Sequence, residues 1–318
     1  MNICVTGGTG TLGRVLIKTL LERGHERVVS VSRDEVKAGD LRASTADNRL
    51  NVFLGDVRDR ERLALAFRGC DAVVHAAALK RVPVGEAYDS LEMIKTNISG
   101  TVNVVLAAMA AGVQKVVVIS SDKAVHPENL YGATKLVAEK FAVQANEYCH
   151  PAGTAVSVVR YGNVWNSRGS VVEVWGKAQG AIKLTDDRMT RFVITQAQAA
   201  NLVCEALEEM QGGEVFIPQL PAMHLLDLAL LFCEQKNVGL EVVGLRPGGE
   251  KLHERMISDE EESRTLTLPS GTMIITPSHR SWSTEPYQGK KMWVPSPYSS
   301  DNVQFLSANQ LKKLLEET

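Results

Sequence analysis

The sequence lacks the long apolar runs and the blocks of like charge that indicate a membrane or a nucleic-acid partner. No apolar segment approaches the roughly 18 residues that a transmembrane helix needs. The net charge of −2 leaves no basic excess for nucleic acid or an anionic membrane. A strand is predicted within two residues of Met1, so we expect no signal peptide. These features predict a cytoplasmic protein that binds neither nucleic acid nor a membrane.

Cysteine is scarce as well. The five cysteines are scattered, odd in number and never at C-x-x-C spacing: Cys4, Cys70, Cys149, Cys204 and Cys233. This distribution argues against a zinc site or a disulfide framework, and we expect a reduced compartment and no metal. The 318 residues are enough for one large α/β domain, or for a domain with a smaller lobe.

The sequence does contain an alternation of short β-branched strands and longer helices. Six strands are predicted at 2–6, 28–32, 51–54, 72–75, 115–119 and 155–160, with helices at 14–23, 60–67, 91–111 and 131–148. This alternation predicts an α/β fold with a doubly wound parallel sheet.

Beyond residue 162 the regular alternation of predicted strands and helices gives way to polar loops. We expect 1–162 to form a dinucleotide-binding Rossmann domain, rejoined by about 191–217, and 163–318 to form mainly a smaller C-terminal substrate lobe. Within the second part, the pattern predicts a helix at 196–210, a strand at 214–217, irregular cover over a site at 263–300 and a short final helix at 308–316.

Glycines at 7, 10 and 13 follow the first strand and open the first helix. A turn without Cβ atoms lets the backbone approach a pyrophosphate at the helix N-terminus, where Thr11 and Leu12 would also lie. A tight turn without a ligand is the alternative. The strand before it and the helix after it favour dinucleotide binding.

Charged residues follow the second strand, where a dinucleotide fold meets the adenosine ribose. Arg33 and Lys37 suit the 2′-phosphate of NADP, whereas Asp34 would suit the 2′-hydroxyl of NAD. Arg33 comes first and Lys37 adds a second positive charge, so we predict NADP. The alternative is that both cations are solvated loop charges.

The ends of the next two strands add candidate cofactor contacts. Asp56 could accept from the adenine amino group while Val57 packs on the ring, although Asp56 could instead cap the following helix. Ala76 keeps the chain thin where a cofactor would cross, and Lys80 lies at the expected mouth of the site. Asn97, inside a predicted helix, could hold a water or a backbone carbonyl near the active centre, or be a solvated polar residue.

The stretch 120–135, SSDKAVHPENLYGATK, joins a buried strand to a helix and carries the strongest chemical signal. Tyr131 and Lys135 are four residues apart, so they share a helix face, and an ammonium there would lower the pKa of the phenol. Such a tyrosine can take a proton from a sugar hydroxyl. Asp122 and Lys123 precede the pair. An ordinary amphipathic helix start is the alternative for Tyr131 alone.

Polar and basic turns in the second part suit an anionic diphosphate. Candidate substrate-binding residues come from the loop after the sixth strand and from two later turns: Lys80, Asn163, Ser167, Arg168, Gly169, Ser170, Val171, Thr185, Met189, Arg191, Arg246 and Glu250. For each arginine, a surface ion pair is the alternative.

The motifs TGGTGTLG, HAAALK, YGATK and RYGNV together resemble those of the extended short-chain dehydrogenase/reductases. With GDVRDRERL, IKTNISGTVNV, SSDKAVHPENLYGATK, RMTRFVIT and RPGGEKLHE, the whole chain looks like the UDP-N-acetylglucosamine 4,6-dehydratases without a membrane domain. Two departures are Trp165-Asn166, where the family usually has a small pair, and Gly248-Gly249, where it usually has one glycine.

The resemblance implies NADP-dependent dehydration of a UDP-sugar by an enzyme of at least two copies. Tyr131 and Lys135 would be the redox pair, Lys123 a neutral base at C5, and Asp122 a protonated acid for the C6 hydroxyl. The cofactor and substrate residues named above would keep those roles. A UDP-sugar 4-epimerase and a non-catalytic NADP-sensing protein are the alternatives.

Overall fold

The structure is a computed structural model that describes residues 1–80, 88–149, 153–245, 248–282, 287 and 296–317. Nine strands in these residues form one large sheet: β1 (Asn2–Thr6), β2 (Arg27–Ser32), β3 (Leu50–Leu54), β4 (Ala72–His75), β5 (Lys115–Ile119), β6 (Ala155–Val159), β10 (Val215–Ile217), β13 (Thr265–Thr267) and β14 (Met273–Ile275). Their order is β13-β14-β10-β6-β5-β4-β1-β2-β3. The pairs from β10 to β3 are parallel, and β14 and β13 join antiparallel.

Helices that alternate with these strands cover the sheet: α1 (Thr11–Glu22), α2 (Glu35–Thr45), α3 (Arg60–Ala66), α4 (Ser90–Ile94), α5 (Gly100–Ala110), α6 (Leu130–Cys149) and α8 (Gln196–Glu209). The central strands are buried along nearly their whole length, as in β1 and β5. Val-rich strands of this kind belong to parallel sheets covered on both faces. The α/β doubly wound fold predicted from the sequence is confirmed.

The strand order reverses between β1 and β4, because the chain runs outward to β2 and β3 and then returns to β4. In an open α/β sheet, ligands bind outside the carboxyl ends of the strands at such a switch point. The glycine turn after β1 and the Ala76 segment after β4 therefore meet where a ligand is expected.

Eight of the remaining strands and helices surround a second hydrophobic core that includes Trp165, Trp175, Ile182, Leu228 and Phe232. They are β7 (Asn163–Val164), α7 (Val171–Gly176), β8 (Ile182–Leu184), β9 (Thr190–Ile194), β11 (Ala222–His224), α9 (Leu225–Lys236), β12 (Leu240–Val242) and α11 (Ala308–Glu316). The short helix α10 (Asp259–Glu262) instead pairs through Glu261 with Arg160, directly after β6. Strands β7, β9 and β11 form one small sheet, and β8 pairs with β12.

Two features differ from the sequence prediction. The helix expected at 91–111 contains a π-helical segment, Lys95–Ser99, between α4 and α5. The prediction of irregular structure over 263–300 is wrong where β13 and β14 form, because these two strands extend the large sheet. Three-residue strands among turn residues are too short to show a period. The domain boundaries at 162 and 163 stay a prediction.

Within the described ranges, no helix has both the length and the apolar character needed to cross a bilayer.

Candidate active site

The glycine turn after β1 is packed too closely for side chains. Gly7 has φ +74°, and a Cβ on it would lie 2.8 Å from the backbone nitrogen of Ala77. A Cβ on Gly13 would lie 2.3 Å from the carbonyl oxygen of Gly7, which also accepts from the Gly10 N–H at 2.9 Å. The turn therefore holds the start of α1 against the switch point, as a pyrophosphate site requires.

The two residues that open α1 have different surroundings. Thr11 Oγ1 accepts from the backbone N–H of Arg168 at 3.2 Å, so the helix start contacts the loop after β7. The Leu12 side chain packs into the main core, which leaves its backbone N–H as the group it could offer to a ligand.

A Gly13→Ala substitution should destabilise the protein by about 1–3 kcal/mol, the usual cost of overpacking. The added methyl would collide with the Gly7 carbonyl rather than with a flexible side chain. Urea unfolding measures the change. Gly39→Ala is the matched control, because a Cβ on this α2 residue meets nothing within 4 Å and alanine favours a helix by up to about 1 kcal/mol. Equal stability of the Gly13→Ala and native proteins would contradict the packing argument.

The charged residues after β2 are arranged unequally. Both carboxylate oxygens of Asp34 are engaged by Lys37, one by its backbone N–H at 3.0 Å and the other by its ammonium. The Arg33 side chain is 48% exposed and lies 3.6 Å from Asp56. Arg14 adds a third cation, which donates to the Lys37 carbonyl at 3.2 Å. The acidic side chain that would favour NAD is therefore occupied, whereas Arg33 extends into solvent.

Asp56 does not cap the next helix, because Asp59 accepts from the backbone N–H of Arg62 at the start of α3. Arg58 donates to Asp56 from its backbone and from its guanidinium. Burial opposes ionisation, but these bonds lower the pKa of Asp56. Val57 is buried in the main core, and a Cβ on Gly100 would lie 2.7 Å from one of its methyl groups.

The segment after β4 is fixed by Asn97 from the π-helical turn. The Asn97 amide accepts from the Leu79 N–H and donates to the Leu79 carbonyl, each at 2.8 Å, and donates to Thr134 Oγ1 at 3.0 Å. Asn97 is 1% exposed. It binds a backbone carbonyl near the helix that carries Tyr131, as one sequence alternative held. With its amide occupied in this way, it positions the chain at Leu79, and its contact with a cofactor stays a prediction.

His75 at the end of β4 is a satisfied buried histidine. Its ring nitrogens lie 2.8 Å from Thr6 Oγ1 and 3.1 Å from Thr101 Oγ1. Burial, with a smaller effect of Lys135, lowers the pKa of His75 to about 3. The imidazole is neutral at physiological pH and plays no part in acid–base chemistry here.

Asp122 and Lys123 begin a short 3₁₀ turn, Asp122–Ala124, directly after β5. The Lys123 Nζ donates to Asp122 Oδ1 at 3.0 Å, and Ser121 Oγ donates to the same oxygen at 2.9 Å. The Asp122 side chain is fully buried, whereas that of Lys123 is 25% exposed. Lys123 is therefore the member of the pair that can meet a ligand first.

A second carboxylate, Glu254, lies on the other side of Lys123. The Lys123 Nζ is 3.2 Å from Glu254 Oε1 and donates to Asn163 Oδ1 at 3.3 Å. Burial opposes the charge, but Asp122 and Glu254 raise the pKa of Lys123 above its ordinary value. The neutral lysine expected from the sequence is wrong for this resting arrangement, because two carboxylates outweigh desolvation.

The pKa of Asp122 shifts in the direction that the predicted acid requires, and its protonated state stays a prediction. Burial raises the pKa of Asp122; Lys123 opposes this effect and Glu254 adds to it. Asp122 Oδ2 is buried and has no hydrogen-bond partner among the residues that the structure describes. These surroundings disfavour the charged carboxylate, so Asp122 can readily accept a proton from a neighbouring donor.

Tyr131 and Lys135 lie in the first turns of α6, as predicted. Burial raises the pKa of Tyr131, against the effects of Lys123 and of a hydrogen bond with Ser121. The expectation that Lys135 lowers this pKa stays a prediction, since Lys123 is the cation with the largest effect on it. The Lys135 ammonium donates to the Ile119 carbonyl, and burial lowers the pKa of Lys135 to about 8.

The loop after β7 reaches the cofactor side of the site. Lys80 Nζ donates to Ser167 Oγ at 3.3 Å. Ser170 caps the following helix by accepting from the Glu173 N–H at 3.4 Å, and Val171 is its first residue. Gly169 has φ +76°, a conformation that glycine adopts without strain. Lys80 and Ser167, both predicted ligand contacts, are thus brought together.

The predicted substrate turn around Arg191 is buried instead. Arg191 is 4% exposed and donates to the Thr190 and Leu252 carbonyls at 2.7 and 3.0 Å, and its guanidinium lies 3.3 Å from Glu250. Met189 is fully buried in the second core. The prediction that Arg191 and Met189 contact the substrate directly is therefore contradicted in this conformation, because both side chains are buried against other parts of the protein.

Thr185 and Arg246 were also predicted to bind the substrate. Thr185 is buried, with only 4% of its surface exposed, so little of its side chain is open to a ligand in this conformation. Arg246 lies outside the described residues, so its place in the site stays a prediction.

The two departures from the family pattern have structural consequences. Trp165 packs into the second core, and its indole donates to the Leu314 carbonyl at 3.0 Å. Gly249 has φ +83°, and a Cβ on it would lie 2.4 Å from the carbonyl oxygen of Glu128. Asn129 donates to the Gly249 carbonyl at 3.1 Å. The double-glycine turn is thus packed against the loop that leads to Tyr131.

Two residues of this site were missed from the sequence. Ser121 bonds to Asp122 and Tyr131, and a serine beside a strand end carries no distinctive pattern. Glu254 ends the RPGGEKLHE segment, and its place beside Lys123 depends on long-range packing.

A parallel Rossmann-type sheet with Ser121, Tyr131 and Lys135 at its carboxyl edge defines an extended short-chain dehydrogenase/reductase. Comparison with known proteins places the chain more narrowly. Residues 3–276 match the family model described as "Polysaccharide biosynthesis protein", and the chain belongs to that family.

Named relatives include enzymes of two activities. The chain is 42% identical to a UDP-N-acetylglucosamine 4,6-dehydratase (inverting) of Campylobacter jejuni, over 100% of this chain and 98% of the relative. It is 35% identical to a UDP-glucose 4-epimerase of Rickettsia akari, over 98% and 94%. The X-ray structure of Pen from Bacillus thuringiensis matches with a TM-score of 0.89 at 35% identity, covering 100% of this chain and 97% of that one. The resemblance to the 4,6-dehydratases is confirmed.

Proposed function

We propose that the protein is a nicotinamide-dependent nucleotide-sugar 4,6-dehydratase that acts on UDP-N-acetylglucosamine. The observation that carries this proposal is the acid–base pair Asp122–Lys123, joined at 3.0 Å and placed beside Tyr131. An epimerase that only oxidises and reduces C4 has no need of such a pair. The name of the Campylobacter jejuni relative supports the same reaction with inversion at C5.

The residues at the switch point fit a dinucleotide. Gly7 and Gly13 leave no room for a Cβ, and α1 begins directly after this turn. When bound, a nicotinamide group would accept a hydride from C4 of the sugar and return it to C6. Arg33 would face the adenosine ribose, and Lys80 with Ser167 would lie where the loop after β7 approaches the glycine turn.

Tyr131 and Ser121 would serve the C4 hydroxyl. Tyr131 as phenolate takes the hydroxyl proton, and the Ser121 hydrogen bond and the Lys123 charge oppose the effect of burial on its pKa. Lys135, held by the Ile119 carbonyl, keeps a buried positive charge in the same helix turn. Burial lowers the pKa of Lys135 to about 8, which is close to physiological pH.

Asp122 and Lys123 would perform the dehydration. Transfer of the Lys123 proton to Asp122 along their hydrogen bond produces a neutral amine and a carboxylic acid. The amine removes the C5 hydrogen, which the C4 ketone has acidified. Asp122 is the acid from which a proton passes to the departing C6 hydroxyl, so that water leaves and the net proton count of the pair is restored.

We propose NADP as the cofactor, on the arrangement of Arg33, Asp34 and Lys37. NADP should bind at least about tenfold more tightly than NAD, because a charge-assisted bond to a phosphate contributes about 1.5–3 kcal/mol. Arg33→Ala should remove most of that preference while leaving NAD affinity nearly unchanged. Calorimetric titration of both proteins with both cofactors measures it, and equal affinities of the native protein for NADP and NAD would contradict it.

Mass spectrometry of the product of UDP-N-acetylglucosamine tests the reaction. A product lighter by one water is expected. An isomer of unchanged mass would make the protein a 4-epimerase, the activity named for the Rickettsia akari relative. Cofactor binding without any product from a panel of UDP-sugars would favour an NADP-sensing protein.

By its resemblance to the 4,6-dehydratases, we also propose that the protein is a homo-oligomer of at least two copies. We propose that it works in the cytoplasm.

A further inference from the structure

Glu254 is a buried carboxylate that contacts the partly exposed Lys123. Its side chain is 3% exposed, and its Oε1 is 3.2 Å from the Lys123 Nζ. The backbone around it is anchored, because the Glu254 N–H donates to Ser300 Oγ at 2.9 Å and the Glu254 carbonyl accepts from the Ser300 N–H at 2.8 Å. The carboxylate is therefore held in place independently of Lys123.

Within the described part of the chain, three cations surround this carboxylate. Besides Lys123, the Arg191 Nε lies 3.9 Å and the Lys251 Nζ 3.5 Å from its oxygens. Arg191 is also paired with Glu250, and Lys251 donates to the Val125 carbonyl at 2.6 Å. Burial opposes ionisation, but the three cations lower the pKa of Glu254 to about 2. Glu254 is therefore charged throughout the working pH range.

Lys123 in turn is placed by three acceptors on three separate segments. Asp122 precedes it on the turn after β5, Asn163 begins β7, and Glu254 comes from the segment after β12. Asp122 exchanges a proton with Lys123 in the proposed reaction, and Asn163 carries no charge. Glu254 is thus the permanent negative charge at the amine.

We infer that Glu254 is a positioning residue for the dehydration: its carboxylate aims the Lys123 amine and stabilises the positive charge that Lys123 gains with the C5 proton. This inference rests on the proposed function. The physical logic is that of a catalytic triad, in which a buried carboxylate orients a base and stabilises its cationic form. As the C5–H bond breaks and the N–H bond forms, charge develops at an atom 3.2 Å from Glu254.

The first test needs no turnover. Lys123 faces Asp122, Glu254 and Arg191, and Tyr131 faces Lys123. Removal of one of the two carboxylates should lower the midpoint of the Lys123 titration by about 1–3 pH units. NMR of isotope-labelled lysine side chains measures it in the native protein, in Glu254→Gln and in Glu254→Asp, with the signal assigned through Lys123→Ala. An unchanged midpoint in folded Glu254→Gln protein would show that Glu254 has no effect on the charge of Lys123 and would overturn the inference.

The second test separates the chemical steps. Glu254→Gln should lower kcat for water loss by about 10²-fold, while NADP affinity, KM and the initial reduction of the cofactor stay close to native. Glu254→Asp, which keeps the charge, should recover part of kcat. Glu260→Gln is the control, since this carboxylate lies in the same part of the chain but its side chain is 72% exposed.

The outcomes separate the proposed dehydratase function from the positioning role of Glu254. A native protein that releases no dehydrated sugar would overturn the proposed function. A native dehydratase whose Glu254→Gln variant keeps native kcat, or loses NADP binding together with kcat, would overturn the positioning role alone.

Discussion

Tyr131→Phe is expected to bind NADP and UDP-N-acetylglucosamine and to produce neither reduced cofactor nor product. Phenylalanine preserves the ring and its packing but has no oxygen to take the C4 hydroxyl proton, so the first step has no base. Loss of such a group costs about 10²–10⁴-fold in rate. Stopped-flow absorbance of the nicotinamide on mixing measures the step directly, and calorimetry verifies that both ligands still bind.

Tyr148→Phe is the matched control, since Tyr148 lies on the same helix and is 62% exposed. Its kinetics should equal those of the native protein. Reduction of the cofactor by Tyr131→Phe at a native rate would show that another group takes the hydroxyl proton, and the assignment of Tyr131 would fail.

Lys123→Ala should stop the reaction one step later. Tyr131, Ser121 and Lys135 remain, so C4 can still be oxidised, but no amine removes the C5 hydrogen. Turnover should fall by about 10²–10⁴-fold, with reduced cofactor and a 4-keto sugar that keeps its C6 hydroxyl accumulating on the enzyme. The nicotinamide absorbance should therefore rise on mixing and persist.

The charge of Lys123 also acts on the phenol of Tyr131, so this oxidation should be slower than native at neutral pH and recover as the pH rises. Lys140→Ala, an exposed lysine of the same helix as Tyr131, should behave as native. Near-native turnover by Lys123→Ala would reduce the Asp122–Lys123 contact to a structural ion pair and favour the 4-epimerase.

The parts of the site that follow local pattern were predictable. Gly7 and Gly13 mark a strand–turn–helix, and Tyr131 with Lys135 begins a helix after a buried strand, so spacing alone placed them at the carboxyl edge of the sheet. Sequence-adjacent chemistry, such as the Asp122–Lys123 pair, was visible for the same reason.

The charges within the site were not predictable, because they depend on contacts between distant segments. Glu254 reaches Lys123 only through the fold, and it adds to the effect of Asp122 in raising the pKa of Lys123. The sequence predicts that Arg191 binds a substrate phosphate, but its guanidinium already pairs with Glu250 and donates to two backbone carbonyls. A sequence shows that a charged side chain exists. The partners of that side chain in the fold decide whether it is free to bind a ligand.

The reaction of UDP-N-acetylglucosamine in deuterated water tests the central claim most directly. Removal and return of the C5 hydrogen through Lys123 exchanges it with solvent, while the hydrogen moved from C4 to C6 comes from the substrate. NMR of the product should therefore show deuterium at C5, in a sugar that has lost one water. A product without deuterium at C5 and with its C6 hydroxyl intact would contradict the account.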